Sequence, residues 1–368
     1  MRAKGDIVEN PVYIPMDRRV EQFRSFYQRE NERPLLGFFL GSEYPLFRYN
    51  AAKSLPEGRN LGPDDFPIEG YLDDYERLFL EHESCGGDFI WSASAFWGVP
   101  WLEAALGCPI AASHTTGSIA SHAPRYFQGV RSLPDYRQDN AWIKKLEDFV
   151  LALAKHSQGC WPLASTRLRG ISDLLSTLYG GERLIFAMLE KPEEVREVGA
   201  KLTDFWIAAC QGQMEHMPLF HGGIGSFYYN MWAPAGTVWM QEDSASFLSP
   251  QLYEEFIRPY DEQIYQAFPN CILHLHSTGY IPLDAYLESG LLAVEMHIDE
   301  GGPSAEELYS LHMKVLAKKP LLIWGDLSKE DLDWVFHKLP PAGLAVCKVV
   351  STPQEAHDLY QRYVLSKE

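Results

Sequence analysis

Two histidines, His274 and His276, close the apolar run Cys271-Ile272-Leu273-His274-Leu275-His276, which ends at Ser277-Thr278-Gly279. Bounded upstream by the turn signal Phe268-Pro269-Asn270, this run reads as a short buried strand. Side chains alternate faces along a strand, so both imidazoles point the same way, one pleat apart, and can share a metal ion. Each alone reads equally as a buried histidine bonded to backbone. Cys347 stands near the end of another apolar run, 344–349. A His, His, Cys donor set is one that Zn²⁺ prefers, and an open fourth position makes such an ion catalytic. Glu295 and His297 repeat the spacing; either can replace Cys347 as a ligand, or both mark a solvated strand end.

The elements that must position these residues alternate between strand and helix patterns. Strands are predicted at 34–40, 88–93, 161–166, 237–242, 271–276, 291–297, 321–325 and 344–349. Helices are predicted at 16–31, 71–83, 102–106, 141–155, 171–178, 192–216, 250–268, 304–317 and 352–363, the one at 250 opened by a Ser249 cap and Pro250. The polar segment 42–70 reads as a lid or entrance loop, and 221–235, rich in glycine and aromatics, as an insertion folded across a pocket. Such alternation fits α/β architecture, a single (β/α)8 TIM barrel spanning 1–368 with an N-terminal helix and loop insertions. A doubly wound sheet is the alternative. In the barrel the active site lies at the strands' C-terminal ends, where Ser92, Ser94, Arg167, Glu242, Asp243, Asp326 and the residues above fall.

Composition narrows the partners. The net charge is −18, from 32 Lys+Arg against 50 Asp+Glu, so no basic footprint exists for nucleic acid or an anionic membrane. A small-molecule substrate is expected. No secretory leader and no long apolar span is evident, which leads us to expect a soluble, cytoplasmic protein. The 6 cysteines show no CxxC spacing, against a disulfide framework or zinc ribbon.

Over residues 33–365 the sequence resembles the uroporphyrinogen decarboxylase superfamily, which includes zinc-dependent methylcobamide:thiol methyltransferases. The resemblance lies in Arg33-Pro34-Leu35-Leu36, Gly87-Asp88-Phe89-Ile90, the run 178–184, and 190–195. It continues in Glu242-Asp243-Ser244-Ala245-Ser246-Phe247-Leu248-Ser249-Pro250, Phe256-Ile257-Arg258-Pro259-Tyr260, the histidine strand and Gly325-Asp326-Leu327. It implies a single (β/α)8 barrel. Authentic decarboxylases carry an arginine-rich motif after the first strand and an aspartate after the second; the stretches 38–43 and 90–94 lack both, which disfavours porphyrinogen decarboxylation. The methyltransferase branch holds zinc with His-x-Cys on the fifth strand and a Cys on the eighth, matched here by His274, His276 and Cys347. The departures are His276 in place of a cysteine and the missing glycine after Cys347. With one fewer thiolate donating charge, the ion becomes a stronger Lewis acid.

The resemblance implies that a thiol, with an ordinary pKa near ~8.5, coordinates Zn²⁺, releases its proton to solvent and attacks a methyl group on the cobalt of a corrinoid protein, the cobalt–carbon electron pair staying on cobalt. Asp243 or Glu242 would act as fourth ligand or as partner to a ligand; Asp243 also reads as the cap of the 243–244 turn. Tyr228, Tyr229 and Trp232 would line a pocket for a planar macrocycle, although an aromatic stripe also serves as packing. Arg167 and Asp326 complete the expected substrate contacts. Two other function classes stand beside this one: a uroporphyrinogen decarboxylase-like lyase acting on a tetrapyrrole, and a non-catalytic corrinoid or tetrapyrrole binder.

Overall fold

The structure is a computed structural model in which residues 14–277 and 279–367 are described; the side chains of Tyr228 and Lys367 lie outside that description. Its strands are β1 (Leu35–Leu40), the hairpin β2 (Ile110–Ser113) and β3 (Ser118–Ser121), and the short β4 (Leu168–Arg169). A second hairpin, β5 (Gly223–Ser226) and β6 (Met231–Pro234), precedes β7 (Thr237–Gln241), β8 (Asn270–His276), β9 (Ala293–Ile298), β10 (Leu321–Gly325) and β11 (Leu344–Val350). A 7-stranded sheet runs in the order β1-β11-β10-β9-β8-β7-β4. All its pairs are parallel, and the last strand returns to the first. This is the neighbour order of a (β/α)8 ring.

The two faces of the sheet separate cleanly, as strand alternation requires. Leu35, Phe39, Trp239, Ile272, Ala293, Leu322, Trp324, Ala345 and Cys347 belong to one buried cluster, inside the ring. Their odd-even neighbours, such as Leu36, Val238, Leu273, Val294, Ile323 and Val346, belong to another, packed under the helices. Both faces are covered, so these strands read as continuous apolar runs.

The ring is not a closed barrel. Among the described residues, 88–93 and 161–166 form no ladder; an isolated parallel bridge between Ala93 and Leu163 joins them. Pro162 has no N–H to give, and other groups are engaged by the β5–β6 hairpin. Ile90 N donates to Asn230 O at 2.8 Å, and Gly225 N donates to Leu163 O at 2.7 Å. Asn230, at the hairpin tip, adopts the left-handed conformation (φ 59°), which asparagine tolerates better than most residues. The insertion is therefore not laid across the pocket mouth. It enters ahead of β7, and its tip reaches inside the ring.

At the opposite end of the gap, Asp88 ties the second stretch to the first strand. Its buried carboxylate takes both Arg33 Nη1 (2.6 Å) and Nη2 (2.8 Å), Leu36 N (2.8 Å) and Tyr360 Oη (2.9 Å). Paired and fully hydrogen-bonded, the charge is tolerated in the core.

The helices Met16–Gln28, Ile68–Cys85, Ala141–Ser157, Pro192–Met214 and Pro353–Tyr363 stand where periodicity predicts them. The expected helix 250–268 is two, Pro250–Phe256 and Arg258–Ala267. Pro259 lacks the N–H that a continuous helix needs, but sits at no cost in the first turn of the second. The segment 42–70 is not an open loop; it holds the helix Pro45–Arg48 and the 3₁₀ turns Ala51–Ser54 and Pro63–Asp65. Among the described residues, no helix is long and apolar enough to cross a membrane.

Candidate metal centre

Strand register builds the site. On β8 and β9, His274 lies beside Glu295 and His276 beside His297; on β7, Gln241 lies beside His274. In-register residues of a parallel pair face the same way, so two rows of polar side chains project together into the C-terminal end of the ring. Asp299, just past β9, continues the period-two set Glu295, His297, Asp299. Asp243, opening the 3₁₀ turn Asp243–Phe247 after β7, approaches from the other side. Asp173 accepts from Asp243 N (3.3 Å) and Ser244 N (2.8 Å), which holds that turn.

Each β8 histidine is oriented by a carboxylate. His274 Nδ1 meets Glu295 Oε2, and Tyr229 Oη bonds both groups, at 2.8 Å to Nδ1 and 2.7 Å to Glu295. His276 Nδ1 pairs with Asp299 Oδ1 at 2.8 Å. Both Nε2 atoms therefore turn to Asp243: His274 Nε2 is 4.0 Å from Oδ1, and His276 Nε2 is 3.9 Å from Oδ2. These distances are too long for hydrogen bonds. Two ligands at about 2.0–2.2 Å on a tetrahedral ion stand roughly 3.3–3.6 Å apart, so a shift of about half an ångström would bring this set onto one ion. Among the described residues Asp243 Oδ1 is buried without a hydrogen-bond partner, while Oδ2 accepts from Gln241 Nε2. Two groups place three ligand atoms within 4.8 Å of one another: Asp243, His274, His276, and His276, His297, Asp299. Imidazole and carboxylate donors with Nδ1 held by acids suit Zn²⁺, so the residues fit such an ion.

The electrostatics follow from burial against a surplus of acid. Burial works against the His276 imidazolium, but the Asp299 hydrogen bond and the Asp243 and Glu295 charges push it up to about 9. His274 is raised too: Glu295 outweighs its burial. For His297 burial wins and lowers it to about 4. Burial, then Asp299 and Asp326, raises the Glu43 carboxyl. These groups line a cavity of about 330 Å³ with Trp97, Arg167 and Trp239.

Of the residues singled out in the sequence, His274, His276 and Asp243 converge. Cys347 does not join either group. It is fully buried on the inner face, in register with Trp324, which is itself in register with His297. The Trp324 ring stacks on His297 with centroids 4.9 Å apart, so an indole stands between the thiol and the histidines. Glu242 points to the outer face, where it accepts from Ser172 N at 3.1 Å; burial, then Asp261 and Asp173, keep it protonated well above the usual carboxyl range. Gln241 takes the inward position. Arg167 lines the cavity. Asp326 is exposed and pairs with Lys348 Nζ at 2.9 Å.

The aromatic residues also divide. Tyr229 is buried, its hydroxyl serving Glu295 and His274. Trp232 is turned away from the cavity, donating Nε1 to Phe220 O at 2.9 Å under the Arg24 guanidinium. The Tyr228 side chain lies outside the described residues. Asp299 and Glu43 were not picked out from sequence. Asp299 could have been, since it extends the His297 spacing by one more pleat.

No family model matches the chain, and no curated protein matches it in sequence. Among solved structures it is similar to a methyltransferase from Methanosarcina mazei, with a TM-score of 0.63 and 13% identity, covering 95% of this chain and 99% of that one. At that identity the likeness is one of fold.

Proposed function

We propose that this chain is a zinc-dependent methyltransferase in which His274, His276 and Asp243 hold the ion, and that a methyl group moves between a corrinoid and a thiol or related acceptor. The observation that carries this reading is the pair of Nε2 atoms aimed at the Asp243 carboxylate, whose Oδ1 has no hydrogen-bond partner among the described residues while Oδ2 accepts from Gln241 Nε2, each ring being fixed by its own carboxylate. The fold shared with a methyltransferase supports it. Bound there, zinc supplies a Lewis acid that keeps a thiol ionised at neutral pH.

The chain's own groups do the rest. Glu295 and Tyr229 hold the His274 ring in one orientation, and Asp299 does the same for His276, so their Nε2 lone pairs need no reorganisation. Trp97, Phe227 and Trp239 wall the cavity and keep water from the acceptor. Arg167, on the same wall, offers a cation to an acidic group on the acceptor.

A cavity of about 330 Å³ lies at the small end of ligand sites. It suits a small acceptor and not a corrin ring, and Tyr229 and Trp232 are already engaged elsewhere. In this reading the corrinoid stays outside, and a carrier protein presents its methyl group at the mouth.

The test is to incubate the purified protein with methylcobalamin and a panel of small thiols, following loss of the cobalt–carbon absorbance and formation of the thioether. Turnover that disappears on chelation and in His276→Ala supports the reading. A zinc-loaded protein inert to every thiol, or turnover indifferent to chelation, refutes it.

A further inference from the structure

We propose that the mouth holds a second divalent cation, on His297 and Asp299, with His276 shared between the two ions; the first ion is the one of the reading above. The buried His297 imidazole motivates this. Its side chain is 10% exposed, yet it makes no hydrogen bond among the described residues. Nδ1 lies 3.9 Å from Glu295 Oε1, and Nε2 lies 3.7 Å from Asp299 Oδ1, both beyond hydrogen-bond reach. Nδ1 is buried without a hydrogen-bond partner among the described residues, and the ring lines the cavity with Nε2 toward Asp299. Stacking on Trp324 fixes its plane but satisfies neither nitrogen.

An ion on Asp243, His274 and His276 leaves the Asp299-facing Nε2 of His297 unengaged, because His297 does not belong to that group. An ion between His297 and Asp299 engages Nε2 and leaves the ring proton on Nδ1, toward Glu295 Oε1. His276 can serve both positions: its Nε2 faces Asp243 at 3.9 Å and its Nδ1 faces Asp299 at 2.8 Å, and these nitrogens lie on opposite sides of the ring. With an ion on each, the ring carries no proton. Uptake of the second ion then releases the N–H proton of His276 to solvent and replaces its bond to Asp299.

Charge accommodates the added cation. Asp299 and Glu43 line the cavity with Arg167, Asp243 and Glu295 stand against the histidines, and Glu43 has no ion pair or hydrogen bond among the described residues. The donors are nitrogen and oxygen without thiolate, which suits Zn²⁺, Co²⁺ or Mn²⁺.

The experiment strips the protein with chelator, titrates it with Zn²⁺ by calorimetry, and counts zinc per chain after desalting. Two equivalents are expected for the wild type and one for His297→Phe, which keeps a ring against Trp324. Asp299→Asn, altered at a half-exposed position, should also fall to one. A wild type that binds one equivalent, unchanged in His297→Phe, overturns the second ion and leaves the first standing. Two equivalents in both proteins overturn it as well, by placing the second ion elsewhere. No zinc on a chain that melts cooperatively overturns both readings.

Discussion

His274 and His276 meet edge to face, with ring centroids 4.7 Å apart and planes at 89°, and each gives its Nδ1 to a different acid, Glu295 and Asp299. Perpendicular rings on one strand face bring both Nε2 atoms to a common point without turning either off its carboxylate. Strand register thus sets the two histidines, and the turn after β7 brings Asp243 to them.

If Glu295 orients His274, removing its charge should weaken metal binding while the liganding ring stays. Glu295→Gln is expected to lower zinc affinity 10–100-fold, read by competition with a chromophoric chelator. An unchanged affinity would show that this acid is only a core partner.

Cys347 should be dispensable for the metal. Cys347→Ala should retain zinc and lose about 1 kcal/mol of stability, the scale of a small buried group. Burial pushes its thiol up, so in the folded chain a thiol reagent should label exposed Cys160 and leave Cys347 untouched until denaturant is added. Mass spectrometry of labelled peptides reads this.

The gap in the ring is filled by a side chain that needs a glycine beneath it. A Cβ on Gly37 would lie 2.0 Å from the Phe89 ring. Gly37→Ala should destabilise by about 1–3 kcal/mol through overpacking, and Phe89→Leu should recover part of that loss. Urea melts of the single and double variants measure the coupling.

Two buried histidines away from the site set an acid limit. Burial lowers both His82 and His312 to about 4, against ~6.5 in the unfolded chain. The unfolded state therefore binds more protons between those values. Their contribution is whole above pH ~6.5 and is lost as pH falls toward 4, of order 3 kcal/mol each. Among the described residues His312 has no hydrogen-bond partner on either nitrogen, so His312→Leu should melt higher than wild type at pH 5, with a smaller difference at pH 8.

Much of this was legible in the sequence because period two is a strong signal on long buried strands. His274 and His276 on one face, and β1 and β7 through β11, follow from it directly. The second and third strands did not, since a run such as Phe89-Ile90-Trp91 has strand composition whether or not its amides find a ladder. Here the β5–β6 hairpin takes one of those amides, a contact between segments distant in the chain. Cys347 shows the same limit: alternation gives its face correctly but says nothing of Trp324 on the neighbouring strand. Asp243 was visible as a polar strand end, and only the fold turned it toward the histidines.

Zinc K-edge X-ray absorption on the loaded protein tests the central claim most directly, because it reads the donor atoms themselves. The account predicts a shell of nitrogen and oxygen at about 2.0–2.2 Å and no sulfur. A Zn–S distance near about 2.3 Å in the substrate-free protein would put Cys347 on the ion and contradict the assignment to Asp243, His274 and His276.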